Sequence, residues 1–223
     1  MIISTKRVEM FSDGIIAIAI TIMVLEIRLE IPHRTITSES EWIVLAKLLP
    51  HLLSYLLSFV ILGIMWINHH HTYHTIRHVD SKLLWHNLHL LFWLTLVPFS
   101  TSLIGKHPLL PLSTAVYGFI LFMASLAFYL SRRYALRHNL LHITKNKELN
   151  DTLRMLGKRV KVKTYLAMLM YLISIPLSFA IVQLTYICFI IPAVLSFIPE
   201  GIDSKSLSKT LFDSFESDED KIY

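Results

Sequence analysis

Histidine is the side chain most able to do chemistry in this sequence, and it is concentrated. Residues 69–78 read HHHTYHTIRH; His70/His74 and His74/His78 have HxxxH spacing, and His86/His89 add an HxxH pair. Histidines at i and i+4 lie on one helix face and can share a metal ion. Di-iron enzymes built this way use several separated histidine groups, whereas here one cluster dominates and carboxylates around it are scarce. The milder reading is a cluster that changes charge near neutral pH. The single cysteine, Cys188, sits in an apolar run and cannot form an intrachain disulfide. No phosphate-binding glycine loop, nucleophile elbow or HExxH motif occurs. TAVYG at Thr114–Gly118 lacks the central glycine of a carbonyl-lined TVGYG filter and lies inside a helix-length apolar run.

A second set of residues raises an electrostatic question. The stretch RVEMFSDGIIAIAITIMVLEIRLE, residues 7–30, carries Arg7, Glu9 and Asp13 at one end and Glu26, Arg28 and Glu30 at the other. Only the twelve residues Gly14–Leu25 separate Asp13 from Glu26. At ~1.5 Å per helical residue the two carboxylates stand ~20 Å apart, less than a hydrocarbon slab of roughly 30 Å. A carboxylate facing lipid is costly, so Asp13 and its neighbour Ser12 need a basic partner, hydrogen bonds from other helices, or water. Arg7, Asn68, Asn87 and the nearby histidines belong to the same end and are the candidate partners. The charged margins also suit a helix that borders an aqueous path. Its apolar run contains several stripes, among them Ile18/Ile22/Leu25 and Ala17/Thr21/Val24. Periodicity alone does not choose between them, because the segment is apolar all round.

The elements that must position these groups follow from hydropathy. Of 223 residues, 54% are hydrophobic and 17% charged, against ~25% charge in an ordinary soluble domain. The chain reads as an all-α polytopic membrane protein. Apolar segments fall at about Val8–Leu29, Leu48–Ile67, Leu83–Gly105 and Pro108–Ser131. The first follows Lys6-Arg7 but lacks a small-x-small cleavage pattern, and so reads as a retained helix. A basic connector, Arg132–Lys163, follows the fourth, with an amphipathic helix expected around Leu149–Val160. Thr164–Pro199 is then uncharged for thirty-six residues, which as one helix would reach ~54 Å. A hairpin of two short helices is expected, turning near Gln183–Tyr186 with Pro176 and Pro192 bending its arms. That makes six helices over residues 1–201. Residues 202–223, which include FESDEDK, read as an acidic, disordered tail.

Six helices place seventeen of the twenty-one Lys and Arg residues on one side, leaving Arg28, Arg34, Lys47 and Lys106 on the other. The positive-inside rule then puts both termini in the cytoplasm. This distribution, rather than nucleic acid, accounts for the formal charge of +5.

The motif Arg7-x-x-x-Phe11-Ser12-Asp13, with GIMWINHHHTY at the end of the second helix and NLHLLFWLTLVPFSTSL along the third, resembles the transmembrane protein 175 family. That family comprises the lysosomal potassium channel and its prokaryotic homologues, and the resemblance covers roughly residues 5–200. It implies a six-helix subunit of the cell membrane whose first helix lines a central pore in a homotetramer. It also implies a potassium-permeable cation channel, not an enzyme, with no cofactor beyond the permeant ion and no carbonyl-lined filter. Family constriction positions fall here on Ile18, Ile22 and Leu25, with Ala17 and Thr21 as pore neighbours. Ala17 is apolar, so modest selectivity is expected. An interhelical network is implied for Arg7, Phe11, Ser12 and Asp13 with Trp66, Asn68, His69, His70 and Asn87. Glu26 and Glu30 fall at the outer mouth. The alternative is a membrane metal or redox enzyme using the His69–His78 cluster, and a third reading is an alternating-access transporter.

Overall fold

Apolar runs of bilayer length must satisfy their own backbone groups, and this chain does so entirely with helices. The computed structural model describes residues 4–27, 38–138, 140 and 147–197, with backbone alone for 38–45, 47 and 147–161. Seven helices occur among the described residues: α1 Thr5–Leu25, α2 Ser38–His74, α3 Ser81–Thr95, α4 Val97–Lys106, α5 Pro111–Arg137, α6 Lys147–Ala180 and α7 Val182–Phe197. Five segments are long and apolar enough to cross a membrane, α3 and α4 together forming one of them; α7 is shorter, at 16 residues. At 1.5 Å per residue α7 is about 24 Å long. The fold is that of a multi-pass membrane protein with six apolar segments.

Several boundaries differ from the sequence expectation, α2 beginning at Ser38 and α5 ending at Arg137 among them. α1 starts at Thr5 and ends at Leu25, with Glu26 as its C-cap, rather than continuing to Leu29. α2 continues past Ile67 to His74, which carries His69, His70, His71 and His74 on helix rather than in a connector. The third span breaks at Leu96. Pro98 stands in the first turn of α4 and has no N–H to give the carbonyl one turn back, so Leu96 N–H bonds the Trp93 carbonyl at 3.2 Å and the helix restarts.

The α6–α7 junction is the expected hairpin, with its turn at Ile181 instead of Gln183–Tyr186. Tyr171, ten residues before the turn, has its ring 6.4 Å from that of Phe189, eight residues after it. Only an antiparallel return brings those rings together. Pro176 and Pro192 lie inside the two arms, as expected. α6 extends through the basic connector, so the expected helix near residues 149–160 is the N-terminal half of α6.

The helices alternate in direction. At one end Asp80, which precedes α3, accepts from the Tyr134 hydroxyl near the end of α5 (2.6 Å), and Arg77 N–H bonds the Leu140 carbonyl (2.9 Å). At the other, the Tyr186 hydroxyl of α7 bonds the Pro108 carbonyl before α5 (2.7 Å). Between them lies a core of Leu62, Val97, Tyr117, Leu121 and Phe189, all at most 1% exposed. Small residues let helices approach: a Cβ on Gly105 would lie 2.8 Å from His51 Nδ1 and 3.0 Å from Ser54 Oγ, and one on Gly118 would strike Ser174. Lipid gives no hydrophobic drive for helix association, so such close contacts and interhelical hydrogen bonds carry specificity. One buried ladder joins α2, α4 and α5: Thr101 Oγ1 donates to Ser58 Oγ at 2.7 Å, which meets the Tyr117 hydroxyl at 2.9 Å.

Candidate functional site

α1 is held against the subunit by one stripe. Val8, Ser12, Ile16, Ala19 and Met23 recur every three or four residues and are buried. The opposite faces are bare: Ile18 is 58%, Ile22 41% and Leu25 71% exposed, and Ala17 and Thr21 are exposed beside them. At 3.6 residues per turn the Ile18/Ile22/Leu25 stripe lies roughly 120° round the helix from the buried one. Thr21 Oγ1 satisfies itself on the Ile18 carbonyl at 2.9 Å. Both stripes singled out in the sequence are therefore free of the subunit core. Ile18, Ile22 and Glu26 also border an open groove of about 550 Å³ shared with Pro98, Phe99 and Lys106 of α4.

The charged start of α1 is clamped by side chains from two other helices. Trp66 Nε1 donates to Asp13 Oδ1 at 2.9 Å. One turn away, Asn87 of α3 bridges α1 to α2: its Nδ2 donates to Ser12 Oγ, and its Oδ1 faces His69 Nε2, each at 2.9 Å. Glu9 Oε1 meets His70 Nδ1 at 2.8 Å. Asn87, Ser12 and His69 are fully buried, whereas the Asp13–Trp66 bond lies near the surface. The clamp exists because Ser12, Asp13 and Glu9 face α2 and α3 just where both helices end.

Six of the nine expected network residues meet in this clamp: Ser12, Asp13, Trp66, His69, His70 and Asn87. Three do not. Arg7 is exposed and, among the described residues, its side chain bonds to none; Phe11 is 53% exposed. Asn68 gives its carbonyl to the Thr72 hydroxyl, and its side chain lines a separate internal pocket with Lys163, Thr164 and Tyr171. Rotation explains this: at about 100° per residue Asn68 stands roughly 200° round α2 from His70, outside the arc that His69 and His70 turn toward α3 and α1. Glu26 is half-buried as the C-cap of α1, while Glu30 and residues 202–223 lie outside the described residues.

The fold recurs in known proteins. The model of the family described as "Endosomal/lysosomal potassium channel TMEM175" matches residues 7–98. A potassium channel of Chryseobacterium sp. (strain P1-3) is 34% identical over 203 residues, which is 91% of this chain and 97% of that one. The chain belongs to the TMEM175 family. A second relative, a potassium channel of Chamaesiphon minutus, is 35% identical over 56% of this chain and 62% of its own length. The crystal structure of a lysosomal potassium-selective channel TMEM175 homolog from Chamaesiphon minutus superposes with a TM-score of 0.70 at 28% identity, covering 86% of this chain and 95% of that one.

Four of the histidines are engaged by neighbouring side chains. His69 is committed to Asn87 and stacks on Tyr73 at 4.3 Å, and His70 to Glu9. His86 packs on Tyr134 at 5.2 Å, and His89 Nε2 accepts the Trp93 indole N–H at 2.9 Å. Among the described residues no three His, Cys, Asp or Glu side chains converge on a point that a metal ion could occupy. Of the HxxxH residues, His70 turns its Nδ1 to Glu9 of α1.

Two side-chain contacts lie outside the sequence expectation, one at Asp80 and one at Glu9. Asp80 caps α3 through Leu83 N–H at 2.7 Å and takes the Tyr134 hydroxyl. Burial alone would raise its carboxyl, but the Tyr134 hydroxyl, the Leu83 N–H and the nearby His138 and Lys82 charges outweigh that and hold it below its ordinary value. An Asp directly before an apolar helical run is a recognisable N-cap signal. Glu9 was visible as a charge at the head of the first helix, but nothing in spacing paired it with His70.

Proposed function

We propose that this chain is a potassium-permeable cation channel of the cell membrane. α1 lines the axis of a homotetramer, and Ile18, Ile22 and Leu25 form its constriction. The observation that carries the reading is the division of α1: a buried stripe and a three-residue clamp fix one side to the subunit, while bulky apolar residues stand bare on the other. Four such helices would meet on an axis, and the open groove beside α4 leaves room for the neighbouring copy. Family membership and relatives named as potassium channels support the ion.

The physics follows from the residue types. Isoleucine rings offer no oxygen ligand, so an ion crosses with little replacement for its hydration shell. Potassium holds its water less tightly than sodium and passes more readily, giving a sieve of modest selectivity. A narrow apolar neck also tends to dewet, and so can close. Glu26, with Glu30 beyond it, would raise the cation concentration at the outer mouth. The positive-inside distribution places both termini in the cytoplasm.

The test is potassium flux through purified protein in liposomes. Ile18→Asn replaces an apolar ring with amide oxygens; lowering the barrier by about 1.4 kcal/mol raises flux roughly tenfold. Unchanged flux and ion preference in that variant would remove Ile18 from the bottleneck, and chemical cross-linking that stops at monomer would remove the assembly.

A further inference from the structure

Among the described residues, one exposed cation meets no carboxylate. Arg133, near the end of α5, donates from Nη1 to the Tyr129 hydroxyl at 3.0 Å, and its guanidinium lies 5.9 Å from the centre of the same ring. Tyr165 of α6 donates to that Tyr129 hydroxyl at 2.6 Å, and the two rings pack at 5.0 Å. Among the described residues no carboxylate bonds to Arg133, and neither 120–137 nor 162–180 contains an Asp or Glu. Two tyrosines from two helices thus hold a guanidinium in a fixed pose at the protein surface, with no carboxylate on it among the described residues.

The surroundings say what supplies it. Arg132 and Arg137 stand with Arg133 near the end of α5, and α6 carries Arg154, Lys158, Arg159, Lys161 and Lys163 in the turns before Tyr165. Below the tyrosines, Tyr165, Leu169 and Ile173 form an i, i+4, i+8 stripe on α6, each more than a third exposed. That stripe descends about 12 Å from the basic level. A cation fixed at the end of a spanning helix, above an exposed apolar stripe of that length, matches a molecule with an anionic head and a hydrocarbon tail. Tyrosine is the residue that suits the boundary between them, and basic sites between spanning helices bind anionic head groups.

We propose that the α5–α6 seam is a binding site for one anionic phospholipid of the adjacent leaflet. Its phosphate would sit on the Arg133 guanidinium, whose planar fork suits two phosphate oxygens, and an acyl chain would lie along Leu169 and Ile173. Tyr129 and Tyr165 are positioning residues that pre-set the fork. The site is independent of the pore assignment, since it lies on helices other than α1.

The experiment is thermal unfolding of the full chain in neutral detergent, titrated with phosphatidylglycerol, phosphatidylcholine or free glycerol phosphate. Phosphatidylglycerol is expected to raise the melting temperature saturably, with the other two giving no comparable rise. Arg133→Gln should leave the melting temperature in neutral detergent near wild type and weaken the phosphatidylglycerol response roughly tenfold, the scale of one charge-assisted hydrogen bond. Tyr129→Phe should weaken it less, and Arg133→Lys should restore part of it. An undiminished response in Arg133→Gln, or an equal response to phosphatidylcholine, overturns the site. An equal response to glycerol phosphate overturns the lipid assignment.

Discussion

Replacing Asn87 by Leu tests the clamp at its centre. The substitution keeps approximate volume but removes both the donor to Ser12 and the acceptor facing His69. The two losses differ in size. Ser12 Oγ keeps its own bond to the Val8 carbonyl at 2.8 Å, so the α1–α3 bond is worth what such bonds average between membrane helices, about 0.6 kcal/mol. His69 fares worse. Its Nδ1 already lacks a partner, so losing Asn87 leaves a fully buried imidazole with no bond at either nitrogen. An unsatisfied buried polar group costs ~1–3 kcal/mol. The expected total is therefore about 2–4 kcal/mol, dominated by His69 rather than by the visible link to α1. Reversible unfolding of the purified protein in mixed micelles measures it. A double substitution, Asn87→Leu with His69→Phe, should recover much of the loss, because it removes the orphan along with its partner. A loss below about 0.5 kcal/mol for Asn87→Leu alone, or no recovery in the double variant, would refute the argument.

Gly118→Ala should destabilise by ~1–3 kcal/mol, because its Cβ would strike Ser174, whose hydroxyl is tied to the Tyr171 carbonyl at 2.6 Å. Gly63→Ala, with nothing within 4 Å of its Cβ, should be neutral or stabilise by up to about 1 kcal/mol through helix propensity; the same unfolding assay compares the two. Asp80 gives a pH prediction. Its carboxyl lies lower in the folded protein than in the unfolded chain, so its stabilisation is present above the ordinary carboxylate value and lost as pH falls through the lowered one. Asp80→Ala should cost about 1 kcal/mol near neutrality, as lost helix caps do. It should also flatten the acid limb of a melting-temperature profile, and an acid limb identical to wild type would count against the capping role.

The distribution of roles along α1 has a mechanical consequence for the proposed channel. The clamp grips residues 9–13, in its first half, whereas the last turn, from Ile22 to Leu25, reaches the subunit chiefly through Met23, whose sulfur lies 3.8 Å from the Thr101 hydroxyl. A helix fixed at one end and lightly held at the other can change the width of an axial neck with little disturbance to its own subunit.

Membership in the all-helical membrane class, the six segments and their alternating direction were legible in the sequence, because each rests on local quantities: uncharged run length, charge placement and helical rise. The Phe11-Ser12-Asp13 motif was legible too, and three of its expected partners, Trp66, His70 and Asn87, do close on α1, with His69 joined to them through Asn87. What local pattern could not decide was rotation and depth. Whether Asn68 or His69 meets Asn87 depends on a 100° turn of α2 that only packing against α1 and α3 sets. The turn at Ile181 has no glycine or proline at the site to announce it; it falls where Phe189 can return to Tyr171 and Tyr117. The hydroxyl ladder of Ser58, Thr101 and Tyr117 joins residues 43 and 59 positions apart, so no window on one helix could contain it. The sequence by itself determined which segments enter the membrane, since transfer from water is a property of each segment alone. Only the tertiary structure decided which faces meet, because that choice belongs to pairs of helices, made by close contact and hydrogen-bond satisfaction in a solvent that supplies neither.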